Sequence, residues 1–187
     1  MMDIQNKNRK LLKKNHVYHE TMEHDACGVG LVASTEGLKS RKVVEYGIEA
    51  LKAVWHRGAI DADGKTGDGA GIHIEIPNDF FAEKIEITGH EHDNSDLCVG
   101  MIFLPRNDFG GQEQCRSIVE SELTKKNFNI YGWRQVPVDP SVLGEKAEQT
   151  RPEITQVLFT HNDKSIHGKD LERALYETRR KIEKEAV

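Results

Sequence analysis

The stretch "HDACGVG", residues 24–30, decides how the chain is read. Cys27 sits between Ala26 and Gly28, and the apolar run "CGVGLVA" carries on to Ala33. Such a run of small and β-branched residues has the length of a buried strand. A cysteine there has an ordinary explanation, because free cysteines are among the most buried residue types. Its position suggests another. Residues 1–22 show no helical or strand periodicity, the first fifteen carry Lys7, Arg9, Lys10, Lys13 and Lys14 as a solvated start would, and everything before Cys27 reads as a leader. Cys27 therefore stands where order begins.

If the Ala26–Cys27 bond is cut, the cysteine gains a free α-amine with a pKa of about 8. An amide nitrogen cannot take the thiol proton; that amine can, directly or through one water. The residue then holds both nucleophile and base, with no need of a separate histidine. On this reading the uncut chain is silent.

The rest of the 187 residues limit the alternatives. Hydrophobic residues make up 37% and charged residues 30%, the balance of a soluble domain or a large part of one. A formal charge of −5 argues against general nucleic-acid binding, which needs a basic face to displace counterions. No apolar run approaches the ~20 residues that span a bilayer. The beginning lacks the apolar core and small-residue cleavage site of a secretion signal. Cys27, Cys98 and Cys115 are three cysteines without C-x-x-C spacing, which fits reduced thiols in the cytoplasm rather than a zinc site or disulfide framework.

Hydropathy spacing predicts further elements. Val43, Val44, Ile48, Leu51 and Val54 or Trp55 recur at helical spacing over 40–55. "IHIEIP" alternates as a half-buried strand ended by Pro77. Asn78 or Asp79 is placed to cap a short helix through Lys84. "LCVGMIFLP", "FNIYGWRQVPV" and "EITQVLFTH" read as strands. "GGQEQCRSIVESELTKKN" reads as a helix with Cys115, Ile118, Val119 and Leu123 inward, and 168–186 as a helix with Leu171, Leu175 and Ile182 on one stripe. "DPSVLGEKAEQTRP" reads as loop. At least five strands and four helices in this order favour an α+β layering of sheets covered by helices over a doubly wound sheet.

Several motifs are set aside. "GVGLVA", 28–33, fits a dinucleotide fingerprint in letters but lies inside the strand-like run instead of opening a helix. "GKT", 64–66, would end a phosphate loop only with a glycine at Ala59 and a helix to follow. His90, His92 and Asp93 lack a second cluster at ligand spacing, and Asp61, Asp63 and Asp68 lack the spacing of a calcium loop.

"DACGVG", followed by "LKAVWHRGAIDADGKTGDGAGIHIEIP", resembles the start of the glutaminase domain of the glutamate synthase large subunit, within the class II glutamine amidotransferases. The likeness is densest over residues 24–81 and extends more loosely through "FLPRND" and "GWRQVPVD". It implies a four-layer αββα N-terminal-nucleophile hydrolase fold, with 1–26 a leader and 27–187 the front portion of the domain, incomplete on its C-terminal side. It implies glutamine as substrate, Cys27 as nucleophile, and ammonia passed on to reduce 2-oxoglutarate to glutamate. Arg57 of "HRGA" is implied as a support for the nucleophile; its plainer role is a cation at a helix C-terminus. Gly67, Asp68 and Gly69 of "TGDGAG" are implied to line the pocket, with a plain turn as the alternative. Flavin mononucleotide, an iron–sulfur cluster and a small subunit are implied for the larger enzyme, and no cofactor for this segment.

The family's oxyanion hole is an Asn-Gly pair, and no such dipeptide occurs in these 187 residues. Donors of that kind are worth about 3–4 kcal/mol of barrier, so little glutaminase activity is expected of this segment alone. Three other readings remain open: a non-catalytic module of the same fold, a class II amidotransferase serving another synthesis, and a plain α+β domain with an incidental cysteine.

Overall fold

The computed structural model describes residues 28–55, 58, 60–67, 69–92 and 96–186. Two compact units divide the chain. The first holds the chain up to residue 59 together with 68–72; the second holds 60–67 and everything from His73 onward.

The first unit contains helix α1, Arg41–Ala53. Ser40 caps it by accepting from the Lys42 N–H at 3.2 Å, which satisfies one of the N–H groups a helix start leaves open. The expected apolar stripe is present, but Val43, Val44, Ile48, Leu51 and Val54 are only half-buried and Trp55 is exposed. Two expected strands do not form among the described residues. Residues 28–33 and 72–77 form neither strand nor helix. Val29 and Leu31 are 91% and 92% exposed, and Ile72 and Ile74 are exposed as well. Apolar alternation records a preference for burial; a strand also needs a partner edge for its N–H and C=O groups.

The second unit is built on a three-stranded antiparallel sheet in the order β1-β3-β2. Its strands are β1 (Leu97–Leu104), β2 (Phe128–Gln135) and β3 (Glu153–His161), all three where hydropathy places them. Helix α2 (Asn78–Ile87) precedes β1, and α3 (Phe109–Lys125) joins β1 to β2. A 3-10 turn at Pro140–Val142 and the short helix α4 (Glu145–Thr150) occupy the stretch expected to be loop. Helix α5 (Gly168–Glu185) closes the unit. Pro77, not Asn78 or Asp79, holds the cap position of α2, without a side-chain bond.

Central β3 is buried from Thr155 to Thr160 because both of its faces are covered. Val157 and Phe159 face α3 and α5, joining Cys98, Val119, Leu123, Phe128 and Leu171. Leu158 faces the opposite way, joining Phe81 and Ile85 of α2 with Leu97 and Tyr131. Of the inward set expected on α3, Val119 is buried while Cys115 and Ile118 are half-buried. On α5, Leu171 is buried and Leu175 and Ile182 pack on the same core.

One irregularity re-aims side chains. Ile130 pairs with Phe159 and Gly132 with Leu158, leaving Tyr131 as an extra residue. A one-residue bulge exchanges the faces of all that follows. Trp133 thereby packs on the α3–α5 side, while Arg134 reaches Phe80 of α2 with its guanidinium 5.3 Å from the ring centre.

Among the described residues no helix is long and apolar enough to cross a membrane.

Candidate functional site

Three of the candidate site residues, Cys27, Arg57 and Asp68, lie outside the described residues, as do the expected leader 1–26 and, from the motifs set aside, Ala59 and Asp93. Gly67 and Gly69 lie within them, on either side of the division between the two units. Gly69 has φ 86°, a left-handed conformation that L side chains rarely adopt.

The loop leading to Gly67 has a defined local structure. Ile60 and Gly67 form an antiparallel bridge. Inside it, the Asp61 N–H donates to Thr66 O at 2.8 Å and the Gly64 N–H to Asp61 O at 3.0 Å. Asp63 organises the tip. Its Oδ1 accepts from the backbone N–H groups of Lys65 at 2.9 Å and Thr66 at 2.7 Å, and its Oδ2 accepts from the Thr66 hydroxyl at 2.5 Å. These bonds favour the carboxylate, led by the Thr66 hydroxyl, and hold the Asp63 pKa down at about 2. No helix opens at Gly64–Thr66, so the phosphate-loop geometry is absent there.

The loop is tied to the start of α4. Lys146 Nζ bonds Asp61 Oδ2 at 2.7 Å. Gly144 is buried directly against the tip, so that a Cβ there would come within 2.6 Å of the Thr66 nitrogen and still closer to Thr66 Oγ1 and Asp63 Oδ2. Its φ of −76° is ordinary; glycine is needed for space. Helix α4 is tied in turn to the segment after β1: Glu148 accepts from Arg106 and from Arg151, the latter at 2.8 Å. The two guanidiniums, Arg151 foremost, hold the Glu148 carboxyl below its ordinary range.

Sequence reasoning missed this arrangement. It weighed Asp63 only as a calcium ligand and read 139–152 as loop. The spacing of Asp63 and Thr66 is a local signal for an aspartate-organised turn; nothing local points to Gly144.

Other features have plainer explanations. His90 and His92 set their rings edge-on to Tyr131, and His92 Nδ1 lies 3.4 Å from its hydroxyl. Among the described residues no group of three His, Cys, Asp or Glu side chains is arranged to hold a metal ion. A cleft of about 430 Å³ between α3 and the sheet is lined by Arg116 and Thr155 among others. Arg116 Nε and Thr155 Oγ1 are buried there without a protein partner. Water takes about 30 Å³ per molecule, so the cleft has room for the solvent that ordinarily satisfies such atoms.

Comparison with known proteins decides the family. The family model for glutamine amidotransferases class II matches residues 27–187, beginning at Cys27 itself. The chain belongs to the class II glutamine amidotransferases. This amidotransferase is 51% identical over 177 residues to the glutamate synthase (NADPH) large chain of Azospirillum brasilense, covering 95% of this chain and 12% of that protein. It is 38% identical over 176 residues to the chloroplastic ferredoxin-dependent glutamate synthase 2 of Arabidopsis thaliana, covering 92% of this chain and 11% of that one. A ferredoxin-dependent glutamate synthase 2 of Synechocystis is 37% identical over 155 residues, 82% and 10% respectively. The amidotransferase chain thus spans about a tenth of the length of these curated relatives.

Proposed function

We propose that the chain is the glutamine-hydrolysing part of a glutamate synthase, releasing ammonia from the side-chain amide of glutamine. The observation that carries this reading is the family match over 27–187, which starts at Cys27, joined to 51% identity with a glutamate synthase over 95% of the chain.

In this mechanism residues 1–26 are a leader, and its removal frees the α-amine of Cys27. The amine takes the thiol proton, and the thiolate attacks the side-chain carbonyl carbon of glutamine. The tetrahedral intermediate collapses with the proton passing to the departing nitrogen, so ammonia leaves and a γ-glutamyl thioester remains. Water attacks the thioester, releasing glutamate and restoring the thiol. Arg57 orients the terminal cysteine or favours its thiolate. Gly67, Asp68 and Gly69 line the pocket, where small residues let substrate approach the backbone closely. The ammonia serves a synthase site in further domains of the larger enzyme, together with a small subunit, in the cytoplasm.

The four-layer αββα fold is part of the proposal. The sheet supports it: Met101 and Phe103 continue the Leu97–Val99 face of β1 beyond α2 and are exposed, as a face awaiting a second sheet would be. Flavin and iron–sulfur chemistry belong to other domains. A cluster needs several thiolates, whereas Cys98 is packed in the core and Cys115 is half-buried on α3.

A diazo-ketone analogue of glutamine tests the reading. A chain beginning at Cys27 should gain one adduct, mapped by mass spectrometry to Cys27 and not to Cys98 or Cys115, while the uncut chain gains none. Equal labelling of the other cysteines, or no labelling at all, sinks the proposal. Ammonia release by the 187 residues alone should be low, since they lack an Asn-Gly oxyanion pair.

A further inference from the structure

We infer that the cleft between α3 and the sheet is a binding site for a small monocarboxylate with an apolar body, gripped by Arg116 and Thr155. The cleft lies wholly within the second compact unit, and the inference stands apart from the glutamine reading.

On β3, Thr155 shares a face with Val157 and Phe159, the face covered by α3 and α5. It is 3% exposed, and among the described residues its hydroxyl has no partner. A buried hydroxyl left unpaired costs a fold stability. Arg116 of α3 lines the same cleft, and its Nε–H is buried and unpaired in the same way. The guanidinium is nevertheless held in place. Its Nη1 donates to Glu113 Oε1 at 2.8 Å, and its carbon lies 5.8 Å from the centre of the Trp133 ring. Trp133 is fixed in turn, its Nε1–H donating to Glu120 Oε1 at 2.6 Å.

Solvent satisfies such atoms in the free chain, but three features suit the cleft to more than solvent. Both unpaired atoms can donate, so a carboxylate, with two acceptor oxygens, serves both through charge-assisted bonds. The charge comes from Arg116, since Arg106 bonds Glu148 and Arg134 bonds Gln156. The walls are aromatic: Trp133 on the sheet and Phe109 at the start of α3, the latter 77% exposed. Water gains nothing from such walls, whereas the carbon body of a ligand packs on them. Glu153 adds a selection. Its carboxylate lines the cleft and accepts from the Gln135 amide at 2.6 Å, so a second negative charge on the ligand is repelled.

The test titrates 3-phenylpropanoate into the 187-residue chain and reads tryptophan fluorescence. Trp55, which is exposed, is replaced by Phe so that Trp133 is the sole tryptophan. Emission should change saturably with a Kd of about 1 mM or tighter. Neutral 3-phenylpropanol, succinate and inorganic phosphate should each bind at least about tenfold more weakly. Arg116→Gln and Thr155→Val should weaken 3-phenylpropanoate by about tenfold or more, and Thr155→Ser should bind as the parent does. The free Thr155→Val chain should melt no lower than its parent, because the lost hydroxyl had no partner to lose; a residue that serves only the fold would show the reverse, a lower melting temperature with binding intact. If Thr155→Val does not fold, Arg116→Gln decides the matter. No saturable change, binding that both variants leave intact, or phosphate and succinate binding as tightly as the monocarboxylate overturns the inference.

Discussion

Cys98 stands opposite Phe159 across the β1–β3 ladder, and its thiol is packed among the side chains of the core beneath α3 and α5. Burial, with smaller contributions from the charges of Asp96 and Glu172, pushes its pKa up to about 12. At pH 8 such a thiol holds about a thousandfold less thiolate than one at its ordinary value. Iodoacetamide under native conditions should therefore leave Cys98 unmodified while it alkylates half-buried Cys115, as peptide mapping would record. The linkage has a sign. A raised folded pKa means that Cys98 contributes stability fully below its unfolded value near 9 and loses it as pH climbs toward 12. Replacing Cys98 by Ala should flatten the alkaline limb of a stability curve.

Gly132 makes the second prediction. It follows the bulge at Tyr131 with φ 151°, and a Cβ there would lie 3.1 Å from Thr88 Cγ2. Both the conformation and the contact oppose a side chain. Gly132→Ala should destabilise the chain by about 1–3 kcal/mol, measured by urea unfolding. An unchanged midpoint would mean that the bulge relaxes at no cost.

The third prediction contrasts two apolar residues from stretches that read alike in sequence. Leu158 is 1% exposed at the centre of β3, and its truncation to Ala should cost about 2–5 kcal/mol. Ile74, from the alternating "IHIEIP" stretch, is 43% exposed, so Ile74→Ala should change stability by under about 0.5 kcal/mol. A large loss at Ile74 would show that 72–77 is buried in solution after all.

That contrast marks what the sequence can and cannot carry. β1, β2 and β3 were legible because each is an apolar run whose partners lie in the same unit, and α5 because Leu171, Leu175 and Ile182 keep one stripe. "CGVGLVA" and "IHIEIP" have the same local character, yet their described residues pair with no strand. Alternation over "FNIYGWRQ" also places Trp133 with Tyr131; the bulge, fixed by pairing to β3, separates them. The support of the 60–67 loop was hidden for a similar reason. Gly144 and Asp63 meet only through the fold, and a glycine kept small by a distant neighbour looks like any loop glycine.

The last prediction concerns acid. The Asp63 carboxylate is bonded by Thr66 and Lys65 and titrates at about 2 rather than at its ordinary 3.8. A depressed folded pKa means that the folded loop favours the charged form. The contribution is complete above about pH 4 and disappears as pH falls through about 2. The loop should therefore keep its neutral-pH structure through the range in which ordinary carboxylates protonate, and open only below it. Proton NMR can follow the Thr66 and Lys65 amides from pH 6 downward. Their shifts should move together with a midpoint near 2, and Asp63→Asn should abolish that step. A common midpoint near 4 would mean that the carboxylate does not hold these amides in solution, and the loop's order would then rest on Gly144 and the Asp61–Lys146 pair alone.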